Sequence, residues 1–215
     1  MQRGWLHSVG FGLGALLVVS VLVPRRAPGS TVAEQRALLP DPAECEDPVA
    51  GVWKSHNYNT YQGQWTEFTL EVRRRSSEPS VLEGRILNHS WMASQQHPQP
   101  PKCTGDLRYE VSMEAQGSAK GMSVEFWGIG RWEMDRLHCG SRIGFGYNLD
   151  HFSGTIDPVI QEFQSVNNDG GIAVNEPTVF RRIRCFDGPQ FDPSVEPPPY
   201  QPPGSGGCGG LGCAW

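Results

Sequence analysis

Trp65-Thr66-Glu67-Phe68-Thr69-Leu70-Glu71-Val72-Arg73 alternates with a period of two. Trp65, Glu67, Thr69, Glu71 and Arg73 share one face and Phe68, Leu70 and Val72 the other, the pattern of a strand with one buried side. Ser76-Ser77-Glu78-Pro79 reads as a hairpin turn, after which Val81 to Met92 repeats the theme, Leu82, Gly84, Ile86 and Asn88 alternating against Glu83, Arg85 and Leu87. Outward from this pair, Leu107 to Ala115 and Met122 to Trp127 form a second hairpin, with Gly117 to Gly121 as its turn. Segments Trp132 to Leu137, Ile143 to Tyr147, Val159 to Val166 and Thr178 to Arg184 complete eight or nine strands. Asn167-Asn168-Asp169-Gly170-Gly171 is a turn, because these residue types tolerate positive φ. Helical periodicity is almost absent from 51 to 185. The expectation is an all-β, antiparallel up-and-down meander closing into a barrel, which removes exposed edges. A β-sandwich is the alternative; its Trp would be Trp127 or Trp132 between Cys103 and Cys139, an interval short for that core.

Composition divides the 215 residues into four parts. Residues 1–26 open on Met1-Gln2-Arg3, run without charge from Val9 to Val23 and end at Pro24-Arg25-Arg26, as a signal peptide or an N-terminal membrane anchor does. Residues 27–48 are a spacer, in which Thr31 and Glu34 form a capping box for a short helix over 31–39. The barrel domain spans 49–186. Residues 187–215 are rich in Pro and Gly, so a disordered tail is expected there, ending in the pair Cys208 and Cys213.

The N-terminal segment implies an exported protein, secreted or membrane-anchored, and six cysteines agree with disulfides in an oxidising compartment. Cys45 and Cys185 flank the strand region and are natural partners; Cys103 then pairs with Cys139, and Cys208 with Cys213. No Cys-x-x-Cys spacing suggests a metal instead. The net charge of −5, with no basic stripe, argues against nucleic acid as a partner.

Gly51-Val52-Trp53 at the head of the strand run, and the arginines of the last strand, Arg181, Arg182 and Arg184, resemble the signature of lipocalin-like (calycin) barrels. The resemblance implies that Trp53 closes the barrel floor, that an arginine such as Arg182 packs across its ring, and that the barrel holds a ligand cavity. Guanidinium on indole is worth about 0.5–2 kcal/mol.

The ring-bearing residues Trp65, Trp91, Tyr109, Phe126, Trp127 and Tyr147 are the candidate cavity wall, suited to a small apolar or sugar-like ligand. His89 and His151 are the polar histidine candidates. Asp150-His151 with Ser153 invites a catalytic reading, but neighbouring strand residues point to opposite faces. No nucleophile-elbow, zinc-protease, phosphate-loop or dinucleotide motif occurs, so no cofactor, metal or catalytic set is assigned. Asp157, Glu162, Asp169 and Glu176 make 150–176 an acidic loop surface, without the ligand alternation of a calcium loop. Asn88-His89-Ser90 fits a glycosylation sequon. The first functional expectation is an exported, non-enzymatic barrel binding a small molecule. The alternative is a membrane-tethered envelope interaction protein with a filled barrel, whose tail contacts a protein partner. A hydrolase using an unrecognised acid pair is a third.

Overall fold

The computed structural model describes residues 30–102, 107–138, 146–171 and 174–186. In chain order these form α1 (Val32–Leu38), β1 (Gly51–Lys54), β2 (Asn57–Asn59), β3 (Gln64–Arg75), β4 (Glu78–Met92), β5 (Arg108–Lys120), β6 (Ser123–Gly128), β7 (Glu133–Leu137), β8 (His151–Asp157), β9 (Glu162–Asn167) and β10 (Pro177–Arg184). All pairings are antiparallel. The hydrogen-bonded order runs β1-β10-β9-β8-β6-β5-β4-β3, and β1 also pairs with β3, so eight strands close on themselves. Two short strands lie outside this ring: β2 prolongs the edge of β3, and β7 pairs with the first half of β5.

The alternation read at residues 65–92 sets the two faces. Phe68, Leu70 and Val72 of β3 and Leu82 and Ile86 of β4 turn inward. They meet Met113, Ala115, Val124, Phe126, Phe152, Ile156, Phe163 and Phe180 in one buried interior cluster. Phe152 is edge-on to both Phe68 and Phe180, at 5.0 and 4.9 Å between ring centres. Each of these large side chains contributes about 1.5–3 kcal/mol by leaving water.

One end of the barrel is shut. Trp53 and Arg182 are register partners across β1 and β10, both almost wholly buried. The guanidinium carbon of Arg182 lies 5.2 Å from the Trp53 ring centre. Trp53 Nε1 donates to the Val49 carbonyl at 2.9 Å. Arg182 donates from its two terminal nitrogens to the carbonyls of Asp47 and Ala50 and to Gln161 Oε1, which meets most of the demand of a buried charge; its Nε has no acceptor among the described residues. The Cys45–Cys185 disulfide, expected from their flanking positions, joins the chain on either side of this floor.

Helix α1 begins as its capping box requires: the Glu34 amide donates to Thr31 Oγ1, and Glu34 Oε2 accepts from the Thr31 amide. It lies outside β10 and β9. Buried Gln35 donates to the Pro177 carbonyl and accepts from the Val179 amide. Glu162, also buried, receives Arg36 at 2.7 Å and Arg181 at 2.8 Å.

The strand boundaries correct the sequence reading in three places. Residues 151–157, read as an acidic loop, are strand β8, with Phe152 and Ile156 in the core, whereas Val159 to Gln161, expected to open the next strand, belong to the turn at 158–161, and β9 starts at Glu162. Gly117 to Lys120, read as a turn, continue β5, and the chain reverses at Gly121. Gly117 extends the strand because β6 crosses closely there: a Cβ on it would lie 2.2 Å from the Glu125 carbonyl oxygen. Gly146 and Tyr147, expected at the end of a strand, have no strand pairing. The N-terminal segment to residue 29, the tail from 187, and Cys103, Cys139, Cys208 and Cys213 lie outside the described residues.

Candidate functional site: a polar mouth at the open end of the barrel

Opposite the Trp53–Arg182 floor the inward face changes character. Following the same alternation past Ile86, the next inward residues on β4 are Asn88 and Ser90, both buried. Thr66 takes the corresponding place on β3, beside Ser90, and Tyr109 on β5. β2 adds Asn57 and Asn59, and the loop after 146 adds Tyr147 and Asp150. Together with Phe68, Asn167, Asp169, Glu176 and Thr178 these residues line a cavity of about 310 Å³. That lies at the lower end of the volumes small-molecule sites occupy, about 300–1,000 Å³. The charged residues of this lining are all acidic: Asp150, Asp169 and Glu176.

A chain of hydrogen bonds crosses the mouth. Ser90 Oγ donates to Asn88 Oδ1 at 2.7 Å, Asn88 Nδ2 donates to Tyr147 Oη at 2.7 Å, and Tyr147 Oη donates to Asp150 Oδ2 at 2.8 Å. Because the Ser90 proton is committed to Asn88, the 3.1 Å contact with Thr66 Oγ1 has Thr66 as donor. From the other side Asn167 Nδ2 reaches Asp150 Oδ1 at 3.0 Å. All these donors point toward one carboxylate. Linked bonds of this kind polarise one another in a low-dielectric setting.

Asp150 is therefore held between two opposed effects. Burial disfavours its charge most strongly, the Tyr147 and Asn167 hydrogen bonds favour it, and the nearby Asp169 charge disfavours it again; the outcome is a pKa of about 7. Tyr147 is pushed well above the usual tyrosine value by burial and by the adjacent Asp150, and stays a neutral donor. Among the described residues, buried Asn57 Oδ1 has no hydrogen-bond partner, the kind of acceptor that a ligand hydroxyl satisfies.

The raised value has a stability consequence of definite sign. Between the ordinary carboxyl pKa of 3.8 and about 7, the folded protein binds the Asp150 proton and the unfolded chain does not. Stability contributed at this position is thus greatest in acid and falls as pH rises through that window. We expect urea titrations of the native protein to lose on the order of 3 kcal/mol between pH 4 and pH 8 relative to Asp150→Asn, most of it above pH 5. Parallel pH profiles for the two proteins would contradict the assignment.

The structure separates the six residues proposed for a cavity wall. Tyr109 and Tyr147 line the mouth. Phe126 is in the packed interior. Trp65 and Trp91, register partners on β3 and β4, face outward and are buried in a second small cluster with Tyr58, against Leu38 and Ala93. Trp127 also faces outward, its ring 5.9 Å from that of His151. The phase of Trp65, shared with Glu67 and Glu71, already carried this outward placement. The residues missed by sequence reasoning were the polar ones in inward register, above all Asn88, Asp150 and Asn167.

Asp150 and His151 separate as strand geometry requires: Asp150 joins the mouth network, whereas His151 Nε2 sits 2.8 Å from Glu125 Oε1 on the outer surface. Asn88 of the sequon is buried and bonded to Tyr147, so a glycan on its Nδ2 is incompatible with this packing. Comparison of the chain with protein families, with curated proteins and with solved structures finds no match.

Proposed function

We propose that the protein is an exported, lipocalin-like barrel that binds a small sugar-like ligand at its mouth, with preference for one carrying a protonated amine. The observation that carries this reading is the lining: amide, hydroxyl and carboxylate groups, acidic wherever charged, converging on a hydrogen-bond chain that ends at Asp150. Hydroxyl groups meet both donors and acceptors there, and a cation meets Asp150 as it ionises. A fatty acid would bring its carboxylate against three acidic side chains, an arrangement like charges disfavour. The lining therefore favours the sugar-like half of the expectation over an anionic apolar ligand. The eight-strand closure and the Arg182–Trp53 floor support the lipocalin-like assignment, and the Cys45–Cys185 bridge supports export.

Calorimetric titration of the full-length, oxidised protein tests this with three probes: a neutral monosaccharide, the matching amino sugar and a fluorescent fatty acid. At pH 8 the amino sugar is expected to bind at least tenfold tighter than the neutral sugar. That preference should shrink toward pH 5, where Asp150 is protonated, and vanish in Asp150→Asn. Saturable fatty-acid binding without sugar binding would overturn the proposal.

The packed interior favours a second reading, an envelope interaction protein that uses its surface and tail. Failure of all three probes, with capture of a defined protein partner, would select it.

A further inference from the structure

We propose a transition-metal site on the outer wall of the barrel, built from His89, Glu110 and His138. It is separate from the mouth and does not depend on the ligand proposed there.

The three residues come from three strands or strand ends. His89 and Glu110 are register partners across β4 and β5, on the outward phase that Asn88 and Val111 leave to the interior. His138 follows β7 and is fixed beside them, since its amide donates to the Arg108 carbonyl at 2.9 Å. As a result one ligand atom from each lies within 4.8 Å of the others. Donors around a four-coordinate ion stand about 3–4 Å apart, given metal–nitrogen and metal–oxygen bonds near 2.0–2.2 Å, so small side-chain rotations suffice. None of the three is a freely moving surface group; the His138 and Glu110 side chains are 14% and 21% exposed.

Two hydrogen bonds engage these side chains. His138 Nε2 and Glu110 Oε1 lie 2.7 Å apart with a proton between them. Arg108 Nε donates to His89 Nε2 at 2.9 Å, taking the lone pair that a metal would use. A divalent ion bound at these atoms displaces the His138–Glu110 hydrogen bond, the Nε2 proton of a neutral ring moving to Nδ1, and displaces the Arg108 contact. Two imidazoles and a carboxylate suit zinc, cobalt, nickel or ferrous iron rather than calcium or magnesium. The triangle opens into a groove of about 730 Å³ that also presents Glu67, Asp135 and Arg136, leaving room for a non-protein ligand on the ion.

The test is titration of the full-length, oxidised protein with Zn²⁺ and with Co²⁺, followed by calorimetry and by cobalt absorption. The expected result is one saturable site with micromolar or tighter affinity. Ca²⁺ should not compete. His138→Ala and Glu110→Gln should each weaken binding at least tenfold with the disulfide intact and the circular dichroism unchanged. Arg108→Ala should tighten it several-fold, a gain that removal of a merely structural contact does not produce. Affinity that survives in His89→Ala/His138→Ala, an intense thiolate-to-cobalt band placing the ion on cysteine, or the absence of saturable binding would each overturn the proposal.

Discussion

Gly84→Ala is expected to cost about 4 kcal/mol or more, a large fraction of the stability of an ordinary domain. Gly84 sits in the middle of β4 with φ at +155°, opposite Val72 of β3 and Ala115 of β5. A Cβ built there falls 1.7 Å from the carbonyl oxygen of Glu71 and 2.8 Å from its carbon. Both are backbone atoms of a central strand, which cannot swing aside as a flexible side chain does. The methyl group is accommodated only by pushing β3 from β4, along the longest ladder in the barrel. Glycines within strands mark such close approaches and bends. Gly146→Ala is the control, because nothing lies within 4 Å of its Cβ position. Urea unfolding followed by tryptophan fluorescence would measure both variants. A midpoint for Gly84→Ala close to that of the native protein would refute the argument.

Removing the Cys45–Cys185 bridge is the second large effect. The two cysteines are 140 residues apart, so the cross-link closes nearly the whole domain into a ring in the unfolded chain. Chain-entropy reasoning assigns such a loop about 5 kcal/mol, and measured removals of native bridges fall at about 2–5 kcal/mol. The Cys45→Ala/Cys185→Ala protein should therefore unfold at least about 3 kcal/mol more easily. Its native signal should otherwise persist, since Arg182 still holds the carbonyls of Asp47 and Ala50 from the same side. The quantity to measure is the unfolding free energy of the double variant against native protein, each without reductant. A difference below 1 kcal/mol would mean that the floor is held by packing around Trp53 alone.

The parts of this fold legible in the sequence are those written in local pattern. Phe68, Leu70 and Val72 announce their strand because every second residue is apolar, and Thr31 with Glu34 announces a helix start within four positions. Cys45 and Cys185 could be paired because they bracket the strand region. β8 escaped because Ser153, Gly154 and Thr155 thin out the apolar signal between Phe152 and Ile156, and because Gly154 reads as a turn residue. In the structure that glycine marks a crossing, where a Cβ would meet the Gln164 carbonyl oxygen at 2.0 Å. The mouth escaped for a different reason. Asn88, Tyr147, Asp150 and Asn167 come from separated stretches, and only closure of the ring brings them together. Aromatic residues were the natural guess for a cavity wall, yet their faces are set by strand phase: Trp65 and Trp91 fell outside with Glu67 and Leu87. Polar residues in apolar phase, Asn88 foremost, were the available signal.

The path of residues 30–45 along the outside of the barrel has a directional consequence. The Ser30 amide donates to the Tyr58 carbonyl, and Ser30 Oγ accepts from the Tyr58 amide, next to Asn57 and Asn59 at the mouth. The same segment descends past Arg181 and Arg182 to Cys45, where the disulfide meets the far end of β10. Among the described residues, the chain thus starts at one pole, by the mouth, and ends at the other, by the floor. Residues 30–45 are thus a strap that ties the rim of the mouth to the disulfide-closed floor along the outside of the barrel.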